Sequence, residues 1–244
     1  MSEAGADCAA GDAAHARIAP NLTEAPPVSA QSFTRAEPTA FRIAAVPATL
    51  VLVVAAYLIG SVSFAVVVSR AFDLPDPHEY GSGNPGATNV LRTGHRLAAL
   101  FTLLGDGLKG FVAVFAAQRL APLLDAPDWA IPLVALAVFV GHLYPVFHRF
   151  AGGKGVSTAA GIVFALHWPL GLALTLVWLV MAFGFKISSL AALTTAVLLP
   201  LGLYYVKGPT LEAIVGVAMA VLLFWRHRTN IRQLMGGSER TIGR

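Results

Sequence analysis

Three short polar islands interrupt an otherwise apolar chain, and their residue types suit the binding of phosphate. The first, Tyr80-Gly81-Ser82-Gly83-Asn84-Pro85-Gly86-Ala87-Thr88-Asn89, is followed by Arg92. Its three glycines let backbone N–H groups come close to an anion, with hydroxyls and carboxamides alongside. A plain Gly-Asn turn between helices is the competing reading; the length of the stretch and the arginine after it favour an anion site. In the second island Arg149 precedes Gly152-Gly153-Lys154-Gly155, and Ser157-Thr158 open a helix. An ammonium among glycines ahead of a helix start combines charge, unpaired N–H groups and the helix dipole on one anion. It is not a Walker loop, because no glycine stands five positions before Gly153 and Gly155 occupies the Ser/Thr position. A short basic loop at a membrane surface would look the same. The third island, Trp225-Arg226-His227-Arg228-Thr229-Asn230, carries two guanidinium groups, a carboxamide and an imidazole able to titrate near neutrality. Anchoring to lipid headgroups is its simpler role.

A fourth polar feature lies inside an apolar run, where Asp106 and Lys109 stand three apart on one helical face. Ionisable residues at such depth are costly and face a site or one another, so this is either a structural ion pair or support for a site. A covalent nucleophile is missing. Cys8 is the single cysteine and lies in a polar tail as an incidental thiol, and neither a Gly-x-Ser-x-Gly elbow nor a His-x-x-x-x-Asp pair occurs. No His/Asp/Glu cluster has metal-ligand spacing, so neither a metal nor another cofactor is expected.

The elements that hold these islands are read from composition. Of 244 residues 56% are apolar and only 12% are charged, about half the share in a soluble domain. This excludes a disulfide-built module, a collagen-like chain and general disorder, and predicts an all-α, polytopic membrane bundle. Residues 1–45 differ: five carboxylates against three arginines and no long apolar run predict a disordered tail without secretory-signal character. The remainder, 46–244, is expected to be one membrane-integral domain. Its apolar runs are 46–69, 97–120 and 129–147, then a long stretch over 156–226 broken near His167-Trp168-Pro169, at Lys186, and at Lys207-Gly208-Pro209.

Charge sets the expected orientation. The loop 70–96, the connection 149–158 and the tail 225–244 are rich in cations and should be cytoplasmic, whereas Asp125 and Asp128 mark the outer face. If the second and third basic segments share a side, the chain between them crosses an even number of times. Four crossings, at about 156–168, 169–185, 187–206 and 210–225, give seven transmembrane helices with the N-terminus out and the C-terminus in. The first of these is short for a bilayer about 30 Å thick. The alternative is two crossings, with a re-entrant segment or one long tilted helix over 156–185.

The motifs together resemble the membrane-integral acyl-phosphate:glycerol-3-phosphate acyltransferases of bacteria. The resemblance is carried by Tyr57-Leu58-Ile59-Gly60-Ser61, by 81–89 with Leu91-Arg92-Thr93-Gly94, by Asp106-Gly107-Leu108-Lys109-Gly110, by Gly141-His142-Leu143-Tyr144-Pro145-Val146-Phe147, by Gly152-Gly153-Lys154-Gly155-Val156-Ser157-Thr158 and by His227-Arg228-Thr229-Asn230-Ile231. It covers about 50–244 in order. The departures are Ser63 where proline is common, Thr229 where glutamate is common, and an acidic stretch over 76–79.

The resemblance implies a seven-helix protein of the bacterial inner membrane that moves a fatty acyl group from acyl phosphate to the 1-hydroxyl of glycerol 3-phosphate, giving lysophosphatidic acid and phosphate. Acyl phosphate is already an activated anhydride, so orientation and electrostatics suffice without an acyl-enzyme. Ser82, Lys154 and His227 are the expected catalytic residues. The phosphate of glycerol 3-phosphate is expected near Ser82, Arg92, His227 and Asn230, and the acyl phosphate near Lys154 with the amides of Gly152, Gly153 and Gly155. Gly81, Gly83, Asn84, Gly86, Thr88 and Asn89 complete the binding surface, and Asp106, Lys109 and His142 support it. Either His227 or the substrate phosphate is the base. Expected partners are the two substrates, membrane lipid and the soluble enzyme that supplies acyl phosphate, with no nucleic acid. The competing function is a channel or carrier for glycerol or organic phosphate, suggested by Asn84-Pro85-Gly86; that reading needs the motif in two inverted halves, and it occurs once.

Overall fold

The computed structural model describes residues 40–242, with side chains from residue 46 onward. The expected disorder of the tail up to residue 39, Cys8 and the terminal Arg244 lie outside the described residues. Among the described residues all regular structure is helical.

Helix α1 (Ala40–Ser61) begins six residues ahead of the expected boundary at 46, and α2 (Phe64–Ala71) follows after two residues. The run 46–69, expected as one helix, is therefore broken, with a bend of 41° between the two pieces. Two features hold the break in place. The Val62 carbonyl accepts from Lys109 Nζ at 2.7 Å, and Ser63 takes an extended backbone as the N-cap of α2. Lys109 belongs to α4 (Arg96–Leu120), which follows the short α3 (Ala87–Leu91). A 3-10 turn, Ala121–Leu124, leads to α5 (Ala130–Leu143). That helix stops four residues before the expected end at 147, because Pro145 has no N–H to continue the ladder.

The 156–185 stretch is two helices, α6 (Val156–Leu166) and α7 (Trp168–Phe185), which excludes one long tilted helix. His167 closes one and opens the other: its N–H donates to Val163 O at 2.8 Å, and its Nδ1 accepts from the Leu170 N–H at 3.2 Å. Pro169 then sits in the first turn of α7, where a missing N–H costs nothing. Lys186, in a left-handed conformation, separates α7 from α8 (Ser188–Lys207). Helix α9 (Leu211–Arg226) and the short α10 (Arg228–Met235) are the last helices among the described residues.

Helices α4 and α6 lie side by side and run the same way. Thr158 Oγ1 donates to Asp106 O at 2.8 Å near one end, and Gln118 Nε2 donates to Ala165 O at 3.2 Å near the other. The backbones touch at Gly161, where a Cβ atom would come within 1.9 Å of Gly107 O. Small residues allow such packing where lipid supplies no hydrophobic drive between helices.

The outer surface is apolar. Val180 is 71%, Phe183 77% and Tyr205 89% exposed, an arrangement that water penalises and hydrocarbon tolerates. Four helical segments are long and apolar enough to cross a bilayer, Arg96–Leu124, Ala130–His148, Trp168–Phe185 and Ser188–Lys207, and the bent α1/α2 pair is a fifth. The 11 residues of α6 and the 16 of α9 fall short of that length. The protein is therefore an all-helical membrane protein with four or five spans on length and composition.

Candidate active site

The three polar islands meet where α4 and α6 begin and α9 ends, around a cavity of ≈ 1060 Å³. Its wall includes Gly81, Ser82, Asn84, Gly86, Thr88, Asn89, Arg92, Asp106, His142, Lys154, Gly155, His227 and Asn230, all singled out in the sequence. From this polar end the cavity continues between α4, α6 and α7 past Leu100, Leu104, Phe111, Phe164, Leu174 and Trp178.

Asn89 organises the first island. Its Oδ1 accepts from the Ser82 N–H at 2.9 Å, from Ser82 Oγ at 3.2 Å and from Arg92 Nη1 at 3.2 Å. Its Nδ2 donates to Pro77 O at 2.9 Å and Tyr80 O at 3.2 Å. Buried with both ends occupied, Asn89 shapes the loop from within. Gly81 makes this possible: its φ is +62°, and a Cβ atom would stand 2.2 Å from Asn89 Oδ1. Gly83 lies outside the cavity wall.

The second island is held from two sides. Arg226 Nε donates to Gly153 O at 3.0 Å and its Nη2 donates to Gly152 O, while the Gly153 N–H donates to His142 O at 3.1 Å. Gly152 and Gly153 thus pack against His142 behind the cavity wall, and the Lys154 side chain lines it. His78, beside the acidic stretch, reaches the same loop. Its Nδ1 is 2.6 Å from Asp76 Oδ1 and its Nε2 is 2.9 Å from Ala151 O. The ring thus links Asp76 to the backbone of the second island. Asp76 is held below the usual carboxylate range by its bonds to His78, which outweigh partial burial.

Lys154 Nζ donates to Asn230 Oδ1 at 2.5 Å, and Asn230 Nδ2 donates to Glu239 Oε1 at 2.7 Å. Burial, together with Arg92 and Arg226 nearby, pushes the Lys154 ammonium down to about 8 against the opposing pull of Glu239. His227 is buried, and its Nδ1–H donates to the Leu223 carbonyl at 2.8 Å, which leaves Nε2 as the acceptor. Burial first, then Lys154 and Arg226, push His227 down to about 4, so the imidazole is neutral at pH 7.

The intramembrane pair sits just behind. Asp106 Oδ1 is 2.8 Å from Lys109 Nζ and 3.5 Å from His142 Nδ1. Thr158 Oγ1 gives its proton to the Asp106 carbonyl, so the 3.0 Å contact to His142 Nδ1 is donated by the histidine. Lys109 points away from the cavity, toward Val62. Glu239, Arg240, Ser188 and Ser189 also line the cavity and were not anticipated. No spacing in the sequence marks them; they arrive from the C-terminal segment and the start of α8. Among the described residues no group of three or more His, Cys, Asp or Glu could hold a metal ion.

A lipid-facing helical bundle that presents cations and amide groups at the end of an apolar groove is a membrane-integral protein with a site suited to an anionic group that carries an apolar chain. The glycerol-3-phosphate acyltransferase model matches residues 50–237, and the chain belongs to that family. It is 57% identical over 198 residues to the glycerol-3-phosphate acyltransferase of Cupriavidus pinatubonensis, covering 80% of this chain and 97% of that one. With the Ralstonia nicotianae protein of the same name identity is 59% over 200 residues, covering 81% and 96%. Among solved structures it is similar to PlsY (YgiH), an integral membrane glycerol 3-phosphate acyltransferase. The glycerol 3-phosphate form matches with a TM-score of 0.73 and 36% identity over 80% of this chain and 96% of that one. The lysophosphatidic acid form matches with a TM-score of 0.71 and 36% identity.

Proposed function

We propose that this protein transfers a fatty acyl group from acyl phosphate to the 1-hydroxyl of glycerol 3-phosphate, releasing lysophosphatidic acid and inorganic phosphate. One observation carries the reading: a single cavity joins the cationic ends of three motifs to an apolar groove between α4, α6 and α7. One end suits two phosphates and the other an acyl chain. A channel or carrier reading has no such support, and the family is one of acyltransferases.

In the proposed reaction the glycerol oxygen forms a bond to the acyl carbon, and the carbon–oxygen bond to phosphate breaks. Lys154 and the first-turn amides of α6, which lack intrahelical acceptors, stabilise the departing phosphate. Ser82 and Arg92 hold the phosphate of the acceptor, with Asn230 between the two anions. Asn84, Gly86 and Thr88 line its side of the cavity. His227 Nε2 accepts from the attacking hydroxyl. A base near 4 is weak for removing that proton at pH 7, but an arriving phosphate dianion raises it, and the substrate phosphate is the other acceptor within the site.

The proposed topology is seven crossings of the bacterial inner membrane, N-terminus out and C-terminus in, within one domain from 46 to 244. The arrangement of α6 supports it. That helix runs parallel to α4 and ends level with α4's last turns, so it delivers the chain to the face that α4 reaches. The cytoplasmic mouth then faces the soluble enzyme that supplies acyl phosphate. Purified protein in detergent, given both substrates, should release phosphate in proportion to lysophosphatidic acid formed. No release by folded protein overturns the proposal.

A further inference from the structure

We propose that Glu239 is a positioning residue for acyl transfer: carried over the cavity mouth by the segment after α10, it orients the Asn230 carboxamide and sustains the charge of Lys154. The proposal rests on the acyl-transfer reading above.

The segment 236–242 turns back from α10 toward the start of α8, and the Ile242 N–H donates to the Lys186 carbonyl at 2.7 Å. Between these anchors Glu239 Oε1 accepts from Ser189 Oγ at 2.6 Å and from Asn230 Nδ2 at 2.7 Å. Ser189 is buried in the first turn of α8 and acts as a fixed post. A carboxylate only accepts and an ammonium only donates, so a carboxamide bridging them has one possible orientation. Its NH2 must face Glu239 and its oxygen must face Lys154, as they do, with Nζ 2.5 Å from Oδ1. Without the carboxylate, Asn230 is free to turn and to offer Lys154 a donor instead of an acceptor.

The second effect is electrostatic. The charged groups facing Lys154 are Arg92 after α3, Arg226 at the end of α9, and Glu239; His227 beside it is neutral. Both arginines disfavour the ammonium, and Glu239 alone among these opposes them. Loss of its charge therefore lowers the pH at which Lys154 gives up its proton.

The test uses the full chain in detergent, with Glu239→Gln, Glu239→Asp and Ser189→Ala. Two readouts are taken: the pH profile of kcat/KM for acyl phosphate, and the pH midpoint at which cyanate carbamoylates Lys154, read by peptide mass spectrometry. Glu239→Gln should lower kcat/KM about 10–100-fold. It should also move both the alkaline limb and the carbamoylation midpoint about half a unit or more to lower pH. Glu239→Asp, which keeps the charge, should restore the midpoint, and Ser189→Ala should shift it in the same direction by less. Glu212→Gln, an acid at the start of α9, should move neither. A Glu239→Gln protein with both pH midpoints at wild-type values overturns the proposal. Should that variant fail to fold, an unshifted midpoint in Ser189→Ala does the same. Absence of phosphate release from the wild type overturns the acyl-transfer reading separately, because carbamoylation still reports whether Glu239 governs Lys154.

Discussion

Lys109 reaches from the middle of α4 to the carbonyl of Val62, 2.7 Å away, at the break between α1 and α2, and balances its charge on Asp106 at 2.8 Å. One ammonium thus satisfies a backbone oxygen that the broken helix leaves open and neutralises a buried carboxylate. Lys109→Met leaves both unpaired. Removing one partner of a buried ion pair costs about 3–5 kcal/mol, whereas replacing both costs far less. The thermal midpoint in detergent should fall steeply for Lys109→Met and recover in large part in Asp106→Asn/Lys109→Met. Equal stability of Lys109→Met and wild type would show that the pair holds nothing together.

The pH dependence of the reaction should carry an alkaline limb from Lys154. Its pKa is lowered to about 8 by burial, so the ammonium is present below that pH and lost as pH rises through it. For the free enzyme, kcat/KM for acyl phosphate should therefore decline above about 8. His227, at about 4, is neutral across the working range, so protonation of His227 adds no acid limb between pH 5 and 7. An acid limb assigned to His227 by its disappearance in His227→Gln would contradict this.

Ser82 and Asn89 should separate cleanly on mutation. Ser82→Ala removes one exposed hydroxyl from the cavity wall and should lower acyl transfer with little change in thermal midpoint. Asn89→Ala strips partners from Ser82, Arg92, Pro77 and Tyr80 together. At about 1–3 kcal/mol for each buried group left unpaired, it should destabilise the loop as well as abolish activity. Finding that Asn89→Ala keeps wild-type stability and raises only one KM would make Asn89 a ligand contact instead.

The groove between α4, α6 and α7 should set acyl-chain preference. Ala160 lies on its α6 wall, and Trp178 on the α7 wall. Ala160→Phe should depress kcat/KM for long acyl phosphates more than for short ones, and Trp178→Ala should shift preference the other way. A uniform loss across chain lengths would place the acyl chain elsewhere.

Much of the fold was legible because lipid imposes a simple rule on sequence. Apolar runs of the right length, separated by Gly, Pro and basic residues, marked α4, α5, α7, α8 and α9 within a few residues. The break at His167 was visible too, since Pro169 can open a helix but cannot sit in the interior of one without cost. The three polar islands stood out for the same reason: in a chain with little charge, each cluster of it needs an explanation. What periodicity could not show was the bend at 62–63, where the donor that satisfies the open Val62 carbonyl, Lys109, lies 47 residues away.

Residue types and spacing by themselves determined a membrane bundle with cations, glycines and amides gathered in three loops, because hydropathy and phosphate chemistry are local properties. Only the tertiary structure decided which of those residues face the cavity. Lys154 lines it, while Gly152 and Gly153 are turned to His142 and Arg226, and Asn89 works from inside the loop. It also brought Asn230 and Ser189 to Glu239, 9 residues away for one and 50 for the other in sequence, a meeting that depends on how α8, α10 and the final segment fold back on one another.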